Sequence, residues 1–306
     1  MAKIGLVTVL YNCNDVLEDF FKSLSIQSFN NYHLYLIDNS SSAETDELIT
    51  QLVNKYPIPG YTHIKNPENF GVAKGNNQGI KLAIQHSSDF IVLLNNDIEF
   101  LQTFLLEEMV NCAVQKNEDM VIPKVLYYGT RKIWMAGGEF IDYKGTSRSI
   151  GKNDDDGERY NHPKYFNYAP TCFMLISRKV FDTIGFMDEN YFVYYDDNDF
   201  VKRAIKKEFK IYFLPQLEVF HKVSVSTGGY ESLFSIYYLN RNRVYFIKKH
   251  LSFPLKQIAL SHAIMTKAIR YLFFYDADRK KELIKGLKDG FKMKLSVKPV
   301  KILSNV

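Results

Sequence analysis

One cluster of amides and a carboxylate has the residue types and position for binding a metal ion. Asn95, Asn96 and Asp97 follow the apolar run Phe90–Leu94, and Mg²⁺ or Mn²⁺ binds well to a carboxylate together with water and phosphate oxygens. His221 follows another apolar run and is a second candidate ligand, because imidazole is a common metal ligand. The alternative is structural, since Asp and Asn form turns and a histidine after an apolar run is often part of the core.

A second cluster is acidic and has the residue types that a general base needs. Asp196, Asp197 and Asp199 follow the aromatic run Tyr191–Tyr195. Neighbouring carboxylates beside apolar surface repel one another and lose hydration, so their pKa values rise into the range of a general base. The same residues suit the first turn of a helix, where the helix dipole favours negative charge. The two interpretations agree if that turn holds the base.

The elements that must position these residues alternate along residues 3–95. The predicted strands are Ile4–Leu10, His33–Ile37, Tyr61–Lys65 and Phe90–Leu94, and the predicted helices are Val16–Ser25, Glu44–Lys55 and Val72–His86. Such alternation predicts an α/β fold with a parallel sheet covered by helices on both faces. Ligands of such sheets bind beyond the carboxyl ends of the strands.

Polar residues occur at each of these predicted strand ends. The clusters are Thr8 with Tyr11 and Asn12, Asp38–Ser41, Asn66–Asn77 and Asn95–Asp97. Each cluster alone could be a helix cap or a turn, and for Asp38 the structural and functional alternatives stay open. Their repetition along one rim predicts a binding site. The glycine pattern is neither a dinucleotide fingerprint nor a P-loop, so we expect phosphate to be bound mainly by metal and side chains.

The rest of the chain predicts a mixed sheet followed by helices. The β-rich pieces are Met120–Tyr128, Lys132–Ile141, Asn167–Ile176 and a short strand after Pro215 that ends at His221, and helical patterns lie near 231–249, 254–275 and 278–293. The acidic run 152–158 predicts a solvated surface loop. We therefore predict one catalytic domain over residues 1–250, with halves of about 1–118 and 119–250. A helical extension follows over 251–306.

Bulk composition limits the setting. A chain of 306 residues with 46% hydrophobic residues can bury a large core. Cys13, Cys112 and Cys172 fit neither a disulfide framework nor a zinc motif, which predicts reduced thiols in the cytoplasm. No signal-peptide pattern precedes the first strand, and no run of about 18 uncharged apolar residues occurs, so we expect no membrane span.

The net charge of +5 is unevenly distributed. Residues 248–306 hold fourteen basic and four acidic side chains, whereas the other residues hold 25 basic and 30 acidic ones. Nucleic acid is not an expected partner, because a protein that binds it usually distributes its charge differently. The basic and apolar residues of 251–306 recur at helical spacing. They suit an anionic membrane surface, or alternatively packing on the domain or on a second subunit, as in a homodimer.

Taken in order, these motifs resemble the family 2 glycosyltransferases of GT-A fold, and within them the bacterial rhamnosyltransferase-like branch that builds surface polysaccharides. The similarity covers about residues 3–250. The segments that carry it are Val7–Asn12, Asp38–Ser41, Asn69–Gly79, Leu93–Asp97, Gly185–Asp188 and Tyr195–Asp199. The resemblance implies a Rossmann-like, mostly parallel sheet flanked by helices, joined to a mixed-sheet half that binds the acceptor.

The resemblance also implies roles for single residues on the donor side. Those that would contact a nucleotide diphosphate sugar are Thr8, Tyr11, Asp38, Asn69, Lys74, Asn96 and Arg241. Asp97, with His221 as a later ligand, would hold Mg²⁺ or Mn²⁺. The family's motif is more acidic than Asn95-Asn96-Asp97, which leaves a single charge for the metal.

The implied reaction is inverting transfer of a sugar to a hydroxyl of a glycan or lipid-linked acceptor. Asp197 would take the hydroxyl proton, with Asp196 and Asp199 on the acceptor side, and the cation would neutralise the leaving diphosphate. The implied location is the inner face of the plasma membrane. The alternative is a non-catalytic nucleotide-sugar-binding or scaffold protein of a polysaccharide assembly complex.

Overall fold

A computed structural model of the chain describes residues 2–40, 42, 44–223 and 231–295. The strands are β1 (Ile4–Leu10), β2 (Tyr32–Asp38), β3 (Tyr61–Lys65), β4 (Phe90–Leu94), β5 (Ile98–Glu99), β6 (Met120–Tyr127), β7 (Ile133–Met135), β8 (Gly138–Ile141), β9 (Thr146–Ser149), β10 (Lys164–Phe166), β11 (Phe173–Ser177) and β12 (Ile211–His221). The helices are α1 (Leu17–Ser25), α2 (Glu44–Lys55), α3 (Gly71–Gln85), α4 (Leu105–Lys116), α5 (Arg178–Ile184), α6 (Asp196–Ile205), α7 (Leu233–His250), α8 (Leu255–Phe273) and α9 (Ala277–Lys292).

The main sheet has the strand order β10-β12-β6-β11-β4-β1-β2-β3. The four strands β4, β1, β2 and β3 are parallel, and β11 runs antiparallel between β4 and β6. The side chains of Leu34–Ile37 are wholly buried, as expected for a strand covered on both faces. The predicted parallel α/β half and mixed-sheet half are therefore confirmed.

Two predictions in the second half were wrong in detail. Strand β12 does not begin after Pro215 but runs through it, and the register against β6 shifts between Leu214 and Glu218. A proline is tolerated there because a bulge removes the need for its missing N–H. The predicted piece Lys132–Ile141 divides into β7, which pairs with β6, and β8, which forms a separate hairpin with β9.

The acidic run 152–158 is only partly the solvated loop that its composition predicts. Asp155 has a side chain 86% exposed, but the Asp156 carboxylate lies 2.9 Å from the ammonium of Lys124, a residue of β6 that is 1% exposed. The prediction is wrong for Asp156 because a buried ammonium needs a compensating charge. Asn161 accepts a second hydrogen bond from the same ammonium at 2.6 Å.

The carboxyl-terminal helices pack on one another. A Cβ added to Gly286 or Gly290 of α9 would lie 2.5 Å from a backbone oxygen of α7, so the two helices are in direct backbone contact. The predicted helical extension is confirmed as far as Lys292, the last residue of α9, and residues 296–306 lie outside the described residues. The domain boundary at residue 250 stays a prediction. No helix in the described part of the chain is long and apolar enough to cross a membrane.

Candidate active site

A cavity of about 740 Å³ opens where β1, β2 and β4 end. Its walls on the side of the parallel strands come from Val9, Tyr11, Asn39, Asn69, Gly71, Val72, Asn76 and Leu94–Asp97. The opposite walls come from the second half of the chain and from α7, through Thr171, Phe192, Val193, His221, Val223, Phe234 and Tyr238. The cavity therefore lies at the rim where the polar clusters occur, between the two halves of the sheet.

Asp97 and His221 meet inside this cavity. His221 Nε2 lies 3.2 Å from Asp97 Oδ1, and the side chains are 8% and 7% exposed. Sheet register brings them together, because the short strand β5 pairs antiparallel with the end of β12 and sets His221 opposite Ile98. The backbone N–H of Lys222 also donates to the carbonyl of Asp97 at 2.9 Å.

The surroundings of this pair fit a divalent cation. The His221 ring packs edge-on against Trp134, with centroids 4.5 Å apart, and its Nδ1 has no hydrogen-bond partner among the described residues. One carboxylate and one imidazole leave the remaining coordination positions for water and phosphate oxygens, which is how Mg²⁺-type ions are usually bound. The residues present therefore suit the predicted Mg²⁺ or Mn²⁺, and the metal assignment itself stays a prediction.

A second acidic group lies at the end of β2. Asp38, Asp46 and His63 offer ligand atoms within 4.8 Å of one another. The Lys65 ammonium already lies 2.6 Å from Asp46, so part of the negative charge is neutralised. Burial opposes ionisation of Asp38, but His63 and the Ser40 N–H beside it hold the pKa of that carboxyl below its usual value. Asp38 is thus a buried carboxylate behind the rim.

Buried amides hold the ends of β2 and β3 against α3. Asn66 donates to Asn39 Oδ1 at 2.8 Å, and Gln78 donates to Asn66 Oδ1 at 2.8 Å. Asn39 donates in turn to the carbonyl of Gly71 at 3.2 Å. Asn69 accepts the Gly71 N–H at 2.8 Å. The polar cluster at residues 66–78 therefore builds the wall of the cavity.

The other predicted donor-side residues divide into two groups. Tyr11, 41% exposed, lines the cavity together with Asn69 and Asn96. Thr8 is wholly buried in β1, and Lys74 lies with its ammonium 3.4 Å from the centroid of the Phe70 ring. Thr8, Asp38 and Lys74 therefore lie behind or beside the wall.

Arg241 also stands beside the cavity. Its guanidinium donates to the carbonyl of Asn190 at 2.8 Å and lies 4.7 Å from the centroid of the Tyr238 ring. Tyr238 itself lines the cavity, so α7 contributes an aromatic ring to the wall where the sequence pointed to a cation.

Sequence reasoning missed this aromatic part of the wall. The rings of Phe192 and Tyr238 are stacked with centroids 5.3 Å apart, and Phe234 lies 4.7 Å from Tyr238. Phe234 and Tyr238 are four positions apart and so share one face of α7. That spacing was visible in the sequence, but it is equally typical of a helix that packs on a core.

The acidic cluster begins α6. Tyr168 donates its hydroxyl to Asp197 Oδ2 at 2.9 Å, and the Asn198 N–H donates to Asp197 Oδ1 at 2.7 Å. Burial raises the pKa of Asp197, and the Tyr168 bond opposes the rise. Burial and the charge of Asp197 together raise the pKa of Asp196. A carboxylate with a raised pKa suits proton abstraction near neutral pH.

A strained turn presents this pair. Tyr194 and Tyr195 have φ values of 62° and 65°, a left-handed conformation that costs free energy for large side chains. Asn242 of α7 is wholly buried and donates to the carbonyls of Val193 at 2.7 Å and Tyr194 at 2.9 Å. Helix α7 therefore holds the turn that places Val193 in the cavity wall and leads into Asp197, which is not among the described residues that line the cavity.

Asp199 has a different role from its two neighbours. Its wholly buried carboxylate lies 2.8 Å from Arg203, 2.7 Å from Lys249 and 2.8 Å from His250. Burial opposes its ionisation, but these groups hold its pKa well below the usual range. Asp199 thus joins α6 to α7, which agrees with orienting the loop and leaves no surface for contact with an acceptor.

Comparison with known proteins shows similarity to glycosyltransferases. The family model described as glycosyl transferase family 2 matches residues 6–185. The low-salt glycan biosynthesis hexosyltransferase Agl10 of Haloferax volcanii is 24% identical over 243 residues, covering 78% of this chain and 74% of that protein. Glycosyltransferase GlyG of Streptococcus pneumoniae serotype 4 is 21% identical over 215 residues, covering 69% and 67%.

Solved structures share the fold. S. aureus TarS in complex with UDP-GlcNAc superposes with a TM-score of 0.63 at 14% identity, covering 95% of this chain and 81% of that one. The mannosyltransferase PcManGT from Pyrobaculum calidifontis, in complex with GDP-Man and Mn²⁺, gives 0.56 at 12% identity, covering 95% and 86%. The predicted GT-A type architecture is therefore confirmed.

Proposed function

This chain belongs to the family 2 glycosyltransferases, whose model matches residues 6–185, and on that premise we propose that it transfers a sugar from a nucleotide diphosphate sugar to a hydroxyl of a glycan or lipid-linked acceptor. The observation that carries the proposal is the Asp97–His221 pair, 3.2 Å apart in a cavity at the strand ends. A cavity of this size and place suits a nucleotide sugar.

The donor would bind against the wall formed by the parallel strands. Tyr11, Asn69 and Asn96 line this wall and would contact the nucleotide. Four further residues would act on the donor from positions behind or beside this wall, namely Thr8, Asp38, Lys74 and Arg241. Complexes of similar folds with UDP-GlcNAc and with GDP-Man and Mn²⁺ support a nucleotide sugar as the ligand class.

Asp97 and His221 would hold Mg²⁺ or Mn²⁺. When bound, the cation supplies positive charge that neutralises the leaving diphosphate. Phosphate binding then needs no glycine-rich loop, which agrees with the glycine pattern of this chain.

The acceptor hydroxyl would be activated by Asp197. The acceptor oxygen attacks the anomeric carbon, the bond to the diphosphate breaks on the opposite face, and the hydroxyl proton passes to Asp197 Oδ. Tyr168 and the Asn198 N–H fix this carboxylate, and burial keeps its pKa raised. A single displacement of this kind inverts the anomeric configuration.

The biological setting we propose is synthesis of a surface polysaccharide at the inner face of the plasma membrane. The hexosyltransferase named among the relatives supports a hexose as the sugar, and the motif resemblance supports rhamnose. Exposed apolar side chains on α8 and the basic charge of 248–306 support contact with an anionic membrane surface.

Calorimetry with a panel of nucleotide diphosphate sugars, with and without Mn²⁺, tests this function. We expect metal-dependent binding of one donor to the wild type and its loss in Asp97→Ala. The matched control is Asp46→Ala, which removes a carboxylate from the group formed by Asp38, Asp46 and His63 and should leave that binding intact. Binding of no donor would contradict the proposal, and donor binding without transfer to any acceptor would favour a non-catalytic scaffold.

A further inference from the structure

A second cavity, of about 440 Å³, lies between α7, α8 and the turn that joins β8 to β9. We call it the basic pocket, because its charged lining consists mainly of Lys144, Arg243, Lys267 and Arg270, with His262 beside them. Glu231 is the single acidic side chain among the lining residues that the structure describes, and it pairs with Arg270. The pocket is therefore strongly cationic.

The polar groups of the pocket lie close together. Arg243 donates to the carbonyl of Lys144 at 2.6 Å and to His262 Nδ1 at 3.1 Å, and desolvation with the charges of Arg243 and Lys144 lowers the pKa of His262. Burial lowers the pKa of Lys267 to about 8, and the charges of Arg270 and Arg243 add to this effect. A bound anion would relieve this repulsion, since an opposite charge favours the protonated form of Lys267.

The pocket lies next to the acidic turn of the active site. Lys144 and Thr146 line it, while the segment they belong to touches the turn from its other side. The Tyr195 hydroxyl donates to the carbonyl of Gly145 at 3.3 Å, and Asn198 donates to Ser147 Oγ at 2.8 Å. One strand segment therefore separates an anion in the pocket from the residues beside Asp197.

Helix α8 adds an apolar surface beside the pocket. Ile258, Met265, Ile269 and Leu272 are 50%, 67%, 55% and 66% exposed, and their spacing places them on one face. We call these four residues the apolar stripe. His262, Thr266 and Arg270, spaced by four positions, form the adjacent pocket side of the same helix. A contiguous exposed apolar surface of this kind marks an interaction site.

We propose that the basic pocket binds the phosphate or diphosphate of a lipid-linked acceptor, whose hydrocarbon chain lies along the apolar stripe. This inference rests on the proposed function, because it names the chemical class of the acceptor. A phosphodiester headgroup of a bilayer lipid shares part of this chemistry but carries a single charge. Several convergent cations next to the base suit the higher charge of a monoester or diphosphate.

Vesicle binding tests the pocket. The probes are phosphatidylcholine vesicles that contain polyisoprenyl phosphate, and matched vesicles given equal surface charge with phosphatidylglycerol. We expect the wild type to bind the first at least about tenfold more tightly, because one charge-assisted hydrogen bond is worth about that factor. Lys144→Gln and Lys267→Gln should each lose about tenfold. Lys288→Gln, an exposed lysine of α9 outside the pocket, is the matched control and should bind like the wild type.

Four results would overturn or separate the claims. Equal binding to both vesicles, with the same small loss in all three lysine variants, would overturn the proposal that the basic pocket binds the lipid phosphate. Met265→Glu should weaken vesicle binding; if it instead converts a dimer to a monomer in sedimentation, the apolar stripe is a protein interface and the inference is wrong. Nucleotide-sugar binding, measured by calorimetry on the same variants, should be unchanged. Donor binding without a preference for polyisoprenyl phosphate would contradict this inference alone, whereas lipid binding without any donor binding would contradict the proposed function.

Discussion

The carboxylates at the end of β4 and at the start of α6 lie in different environments. At the end of β4, Asp97 faces a cavity and lies beside His221, which the register of β12 places there. In the first turn of α6, Asp199 is wholly buried against Arg203, Lys249 and the His250 ring, while Asp196 and Asp197 have raised pKa values. The chemistry of a carboxylate here is therefore set by the element that packs on it.

Helix α7 makes much of this difference. It supplies Lys249 and His250 to Asp199, and Asn242 to the strained turn before α6. It supplies no cation to Asp197, whose described hydrogen bonds come from Tyr168 and a backbone N–H. One carboxylate of the cluster, Asp199, thus joins α6 to α7, and Asp197, which has no such cation among its described partners, is the proposed base.

The largest expected effect comes from breaking the buried ion cluster. Asp199→Asn leaves Arg203, Lys249 and His250 without their shared anion, so we expect a loss of about 3–5 kcal/mol in the free energy of unfolding. Urea denaturation measures it. Asp155→Asn, at a side chain 86% exposed, is the control and should change stability by less than about 0.5 kcal/mol. A loss below about 1 kcal/mol in the free energy of unfolding of Asp199→Asn would contradict the claim that Asp199 stabilises the fold.

A smaller effect is expected where the donor wall touches the acidic turn. Gly71 has φ +79°, and a Cβ there would lie 2.3 Å from the carbonyl oxygen of Phe192. Gly71→Ala should therefore lose about 2–3 kcal/mol of stability and weaken donor binding. Gly129→Ala is the control, because Gly129 has φ +69° with open space around it and reports the backbone strain alone. Equal losses in the two variants would contradict the contact.

The next effect concerns the base itself. Tyr168 lowers the pKa of Asp197, so Tyr168→Phe should move the acidic limb of the pH–rate profile to higher pH and reduce the rate at pH 7 by about tenfold. Tyr165→Phe, which breaks a bond to Glu118 away from the site, is the control. A slower variant with an unshifted profile would mean that Tyr168 acts only on structure.

The smallest effect is a pH dependence of the free energy of unfolding, which has opposite signs for Asp196 and Asp199 in the first turn of α6. The raised pKa of Asp196 means that its contribution to stability is present below the ordinary carboxyl pKa and is lost as pH rises through the raised value. Asp196→Asn should therefore gain about 1–2 kcal/mol over the wild type between acid and mildly alkaline pH. Asp199 has a lowered pKa, so its contribution is lost as pH falls instead. A gap between Asp196→Asn and wild type that is independent of pH would contradict the assignment.

The sequence carried enough information for the sheet and for the rim. Alternation of apolar strands and amphipathic helices predicted the parallel half, because local periodicity reports burial directly. The polar strand ends predicted the cavity, because parallel strands end at one edge. The pairing of Asp97 with His221 was implied only by the resemblance to a known family, because its structural cause, the short strand β5, is two residues long and left no pattern to recognise.

What the sequence could not predict depends on contacts between distant segments. Two of the partners of Asp199, Lys249 and His250, lie about fifty positions later in the chain, and the ammonium that binds Asp156 lies on a strand that otherwise looks apolar. The aromatic wall of Phe192, Phe234 and Tyr238 likewise forms only when α7 packs beside the acidic turn. Each case is an override of local composition by tertiary packing.

The most direct test is a crossed measurement on Asp97→Asn and Asp197→Asn, with donor affinity taken by calorimetry in Mn²⁺ and sugar transfer taken in a single turnover. If Asp97 holds the metal and Asp197 is the base, Asp97→Asn should lose metal-dependent donor binding. Asp197→Asn should keep donor affinity within about threefold but transfer sugar about 10²–10⁴-fold more slowly. Normal transfer by Asp197→Asn, or unchanged metal-dependent donor binding by Asp97→Asn, would contradict this assignment of roles.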